Sequence, residues 1–155
     1  MAAQPRYRIL FGPVSISNDY RSISQQLMVA FLSVNRLEHQ LAHFVKPRNP
    51  FPAHKAAYRD ELSDMKDIAQ LSELISQLES DRKGAPVLLR QYLKLGGQLL
   101  GFNVDREFNG CLDGLVMVDL SRTPPRALAR YMGKAQATRY LAYHRGGDQP
   151  MSRAS

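Results

Sequence analysis

Two hydrophobic periods alternate along the chain. Between Tyr20 and Asn35 the apolar residues Ile23, Leu27, Ala30, Phe31 and Val34 recur at three- and four-residue steps, the spacing that gathers side chains on one face of an α-helix. Ser22 and Gln25 stand at its start as a capping box would require. The set Leu62, Met65, Ile68, Ala69, Ser72, Ile75 and Leu78 predicts a second long helix that ends in the charged stretch before Pro86. Pro86 suits the first turn of a third helix over 87–95, stopped by Gly96-Gly97, where a left-handed C-cap costs little.

Elsewhere the pattern is that of strands. Tyr7 to Phe11 has β-branched and aromatic density, and Gly12-Pro13 follows it, so a strand is expected over 7–12 with an irregular exit. Residues 99–104 and 112–120 are short apolar runs separated by a polar turn, which predicts an antiparallel pair with the second run as an inner strand. Three prolines in KPRNPFP, 46–52, make that stretch a loop. After Pro124-Pro125, two short helices are expected over 126–132 and 134–144, followed by a flexible tail over 146–155.

Composition narrows the class. With 155 residues, 44% of them hydrophobic, the chain can bury one ordinary core. No apolar run approaches the roughly 20 residues that span a bilayer, and the start of the chain does not read as a signal peptide. The single cysteine, Cys111, has no CxxC or His partner nearby and is expected to be a small buried apolar residue in a reducing compartment. A cytoplasmic location is expected. The net charge of +7 is unevenly placed: residues 1–120 carry 14 basic and 13 acidic side chains, whereas 121–155 carry seven basic ones against Asp148 alone. Such an end implies an anionic partner.

Longer blocks carry a family resemblance. RYRILFGPVSISNDY (6–20), KPRNPF (46–51), PVLLRQYLKLGGQLLGFNVDREF (86–108), LDGLVMVDL (112–120) and RYMGK (130–134) together resemble the hemolysin-like, ornithine-lipid-synthesising acyltransferases of the GNAT superfamily. The resemblance implies an α/β fold corresponding to the C-terminal half of a GNAT domain over 1–145. The strand at 7–12 would be the fifth strand, at the second wall of the wedge that receives the pantetheine arm. The first wall and the phosphate-binding turn would then lie upstream of Met1. Implied with it are a fatty or 3-hydroxyacyl donor on acyl carrier protein or coenzyme A, an amine acceptor such as ornithine, an upstream half as partner, and no metal.

Few residues could carry that chemistry. The His-x4-Asp pair of glycerolipid acyltransferases is absent, since His54 and Asp60 are one residue too far apart, and there is no serine nucleophile elbow, zinc spacing or GxGxxG. Arg130 to Ala135 matches the GNAT phosphate-turn pattern but follows a helix, which favours Gly133 as a helix cap. Acyl transfer needs an unprotonated amine, a polarised carbonyl and an acid for the leaving thiolate. The catalytic candidates are Asn18 and Tyr20, where the first strand meets its helix, and Asp113; Arg90 and Tyr92 are the candidates for holding the acyl donor. Each also has a structural role open to it: a cap for Asn18, a turn anchor for Asp113, and a half-exposed helix face for Arg90 and Tyr92. The competing class is a non-catalytic basic module that docks on an anionic membrane or an acidic protein. Nucleic acid fits less well, because the last 35 residues hold only Tyr131, Tyr140 and Tyr143 as aromatics and no recognisable nucleic-acid motif.

Overall fold

A computed structural model describes residues 6–146. Its organising element is the strand β3, Cys111–Asp119, flanked by β1, Ile9–Ile16, and β2, Gln98–Asp105, in the order β1-β3-β2 with both pairings antiparallel. In β3 the residues Leu112, Gly114, Val116 and Val118 are buried, and the alternate set Asp113, Leu115, Met117 and Asp119 forms a second, partly open face. That is the period-two alternation of a strand. Leu115 and Met117 are apolar too, which is why the run looks apolar almost throughout. Among the described residues seven α-helices accompany the sheet: α1 Ser22–Asn35, α2 His39–Ala42, α3 Arg59–Ser63, α4 Ile68–Leu78, α5 Val87–Lys94, α6 Pro125–Met132 and α7 Lys134–Gly146. The protein is a mixed α/β fold. The expected tail from 146 onward lies outside the described residues except for Gly146, the last residue of α7.

Helix α1 is buried on every side from Gln26 to Leu32, as a helix enclosed within a core must be. It contacts the sheet along β2 and touches α3 and α4. Phe31, Met28 and Leu32 meet Val14, Ile16, Leu99 and Leu112 in one core. Its start differs from the expected capping box. Arg21 occupies the cap position without a side-chain capping bond, its guanidinium donating instead to the Leu78 carbonyl, and the carboxylate of Glu79 takes over, accepting from the Arg21 N–H at 2.9 Å and from Ser24 Oγ at 2.6 Å. Gln25 instead donates to the Ser17 carbonyl.

The single helix expected from Leu62 to Leu78 is two helices. α3 ends at Ser63, and α4 begins after Asp67, whose Oδ1 accepts from the Ala69 N–H at 2.9 Å, a local cap that restarts the helix. α2 and a 3-10 turn over Lys55–Tyr58 were not expected from the pattern. α5 ends as anticipated, with Gly96 at φ 84°. Gly97 is needed for space: a Cβ there would lie 2.7 Å from the Tyr92 carbonyl oxygen.

β1 runs through Gly12-Pro13 without a break, correcting the expected exit at 12. The reason is positional. The Leu120 N–H donates to the Arg8 carbonyl at 2.9 Å, so the even-numbered residues of β1 bond to β3 and the odd-numbered ones turn their backbone groups outward. Pro13 is odd, and its missing N–H costs the ladder nothing.

The two sheet margins are treated differently. Beside β2, Leu99 donates to Arg36 and accepts from Glu38, and Val104 donates to Asn49, so the segments around Leu37 and Pro50 cover that edge. The loop expected at 46–52 is this cover. Beside β1 no strand follows among the described residues, and the Tyr7 carbonyl accepts from Tyr140 Oη of α7 at 2.8 Å. Ile9 and Phe11 on this margin are exposed, Phe11 at 75%.

Asp119 ties the start of β1 to the end of β3. Burial pushes its carboxyl up, but hydrogen bonds from Arg8 and Ser121 outweigh this and hold it below the ordinary carboxylate range. A group whose folded pKa is depressed contributes stability above its unfolded pKa and loses it as pH falls through the folded value. Acid titration should therefore show a loss of stability below about pH 4 that is smaller in Asp119→Asn, measured by denaturant unfolding at a series of pH values.

The α6–α7 hairpin is built around its own small cluster of Leu128, Ala137 and Tyr140. Gly133, at φ 83°, joins the two helices and donates to the Ala129 carbonyl, the helix-cap role the sequence favours over a phosphate turn. Cys111 opens β3 half-buried rather than fully buried.

Candidate functional site

The open face of the sheet carries a polar row beside an apolar stretch. The strand registers place Ser15, Asp113 and Asn103 side by side on β1, β3 and β2. Ser15 Oγ donates to Asp113 Oδ1 at 2.7 Å, and Asn103 Oδ1 accepts from the Asn49 N–H at 2.8 Å. Next to this row lies Pro13–Leu115–Gly101, and beyond it Phe11 and Met117. Val45 and Pro47, held over β2 by the covering loop, complete a shallow apolar trough of about 230 Å³ with Asp113 on its wall. A polar cleft of about 380 Å³ adjoins it across Asn103, lined by Arg48, Arg106, Asp105 and Glu107. Asp105 Oδ1 is occupied there by the N–H groups of Glu107 and Phe108.

The five candidates from the sequence separate into four places. Asp113 is in the trough. Asn18 is exposed and donates through Nδ2 to the Asn109 carbonyl, anchoring the β2–β3 turn, where Asn109 and Gly110 both take positive φ. Tyr20 and Arg90 come together around the Lys83–Ala85 segment: Tyr20 Oη donates to the Gly84 carbonyl at 2.7 Å and Arg90 Nε to the Ala85 carbonyl at 3.1 Å. Lys83 lies over the Tyr20 ring, 4.6 Å from its centre. Burial pushes the Tyr20 phenol up, with Lys83 opposing. Tyr92 is half-buried against the core, and its carbonyl accepts from Gly97.

The polar contacts of Asn18, Tyr20 and Arg90 thus bind turns and linkers, and Asp113 lines the trough. Ser15 and Asn103, which frame it, were not singled out from sequence. The signal for Ser15 was present, since once β1 continues to residue 16 its alternation places Ser15 on the same face as Asp113.

Among the described residues no group of three or more His, Cys, Asp or Glu is placed to hold a metal ion, and no helix is long and apolar enough to cross a membrane. Comparison with protein-family models, with curated proteins and with solved structures finds no match to this chain.

Proposed function

We propose that the chain forms the second wall of a GNAT-type N-acyltransferase that moves a fatty or 3-hydroxyacyl group from acyl carrier protein or coenzyme A to an amine such as ornithine. The observation that carries this reading is the margin of β1, without a neighbouring strand among the described residues, with the Ser15–Asp113–Asn103 row running up to it. By the alternation of β1, Ile9, Phe11 and Ser15 turn N–H and C=O groups outward, and Pro13 adds a carbonyl. An extended thioester arm or the strand of a first wall can be received there through backbone hydrogen bonds. The β1–helix–antiparallel-pair order is also the order the family resemblance implies.

In this reading the amine nitrogen attacks the thioester carbonyl and the C–N bond forms. The C–S bond breaks, and the proton released by the amine passes to Asp113 and on to the departing thiolate. Ser15 fixes the Asp113 carboxylate. Tyr20 and Arg90 keep the wall in shape, and Asn18 secures the turn beneath it.

Residues 1–155 alone are expected to show no measurable transfer from a long-chain acyl thioester to ornithine, because positioning supplies much of the rate and a single wall does not position the donor. Adding the upstream half of a GNAT domain as a separate polypeptide should restore turnover. Robust transfer by the chain alone, or none after the two halves form a complex, overturns the proposal.

A further inference from the structure

The most one-sided charge in the molecule sits on the α6–α7 hairpin. Between Asp119 and Asp148 the chain has Arg122, Arg126, Arg130, Lys134, Arg139 and Arg145 and no acidic residue. All six are exposed. Arg122 has Asp119 at 3.9 Å; no ion pair engages the other five among the described residues.

Helix geometry sets where these charges point. At 3.6 residues per turn, Arg126 and Arg130 each lie about 160° around α6 from the buried Leu128. On α7, Arg139 likewise falls on the side away from Ala137 and Tyr140, which are turned into the hairpin's own cluster. The inward residues close the fold and leave the outward cations with no part in it. Tyr143, exposed at 56%, lies about 40° around α7 from Arg139, whereas Tyr131 falls about 60° from Leu128, on the inward side of α6. Tyr131 Oη donates to Gln91, and the Tyr143 ring packs edge-on to His144.

We propose that the α6–α7 hairpin is a docking surface for an anionic phospholipid bilayer, its basic side chains meeting headgroup phosphates and the exposed Tyr143 lodging at headgroup level. Two features together select a bilayer. Arg126 and Arg130, about 40° apart around α6, can meet a continuous anionic surface together, and an amphipathic phenol belongs where one end is apolar and the other wet. The inference does not depend on the acyltransferase reading.

The test uses the full chain and vesicles of phosphatidylcholine alone or in equimolar mixture with phosphatidylglycerol. Each basic residue near an anionic surface contributes about fivefold to binding, so R126Q/R130Q should reduce partition onto the mixed vesicles about thirtyfold and R139Q about fivefold, with thermal melting unchanged. Binding to phosphatidylcholine alone should be weak, and salt should weaken the mixed-vesicle binding because exposed charges are screened. The chain has no tryptophan, so Tyr143→Trp gives a single reporter, whose fluorescence brominated phospholipid should quench. Unchanged partition of R126Q/R130Q and R139Q overturns the proposal, as does absence of quenching at position 143. So does arginine-dependent binding to an acidic carrier protein or to duplex DNA by a chain that leaves the vesicles alone.

Discussion

Glu79→Ala is expected to destabilise the protein by about 3 kcal/mol, seen as a lower denaturant midpoint with an unchanged slope. Glu79 is 5% exposed and holds two donors of α1, the buried Ser24 hydroxyl and the Arg21 N–H. A hydrogen bond to a charged acceptor contributes about 1.5–3 kcal/mol, and a buried donor left without one loses its hydration as well. No side chain of the first turn of α1 is placed to replace it. Because α1 fills the centre of the core, the loss is not confined to a fraying end. Glu79→Gln keeps an acceptor and should recover about half of the effect. A shift below about 1 kcal/mol for the alanine variant would show that α1 starts without help from α4.

In the reconstituted transferase, Asp113→Asn is expected to lower kcat at least about a hundredfold with little change in KM, the range by which a positioned general base accelerates a reaction. The substitution is nearly isosteric, and the amide oxygen still accepts from Ser15, so the wall keeps its form while the proton acceptor is lost. Tyr20→Phe makes the opposite split, because it removes the bond to the Gly84 carbonyl: stability falls and the rate of the folded enzyme stays. Single-turnover rates beside unfolding curves separate the two. A full kcat in Asp113→Asn would remove Asp113 from the reaction and leave it as a partner of Ser15 alone.

Elements whose boundaries are written locally were legible from sequence. Gly96 and Gly133 stop α5 and α6 because each takes a positive φ where the helix ends, and Pro124-Pro125 sets the start of α6. β2 and β3 are a hairpin, so their pairing is also local. What stayed hidden depends on partners far along the chain. The cap on α1 comes from a residue 55 positions beyond Ser24. The fate of Gly12-Pro13 depends on which side of β1 meets β3, and the break in the long helix turns on Asp67 capping a fresh start rather than continuing the old one. At the site, Arg90, Tyr92 and Asp113 are the polar members of apolar runs, and that pattern does not say which of them faces a cavity. Asp113 lies in the trough while Arg90 bonds the Ala85 carbonyl, and that carbonyl has no signature in sequence.

The pairing of β1 with β3 also fixes a timetable during synthesis. Ile16 lies opposite Leu112 and Ile9 opposite Asp119, so roughly a hundred residues must be made after β1 before its partner exists. At about 5–20 residues per second, that is an interval of about 5–20 s. Throughout it β1 lacks its β3 partner, and Val14 and Ile16, buried in the folded core, have no strand beside them. A nascent chain in this state is a template for strand pairing with its neighbours on the same polysome. Pro13, which cannot donate to any incoming strand, stands in the middle of the vulnerable stretch and shortens the run that a wrong partner could zip.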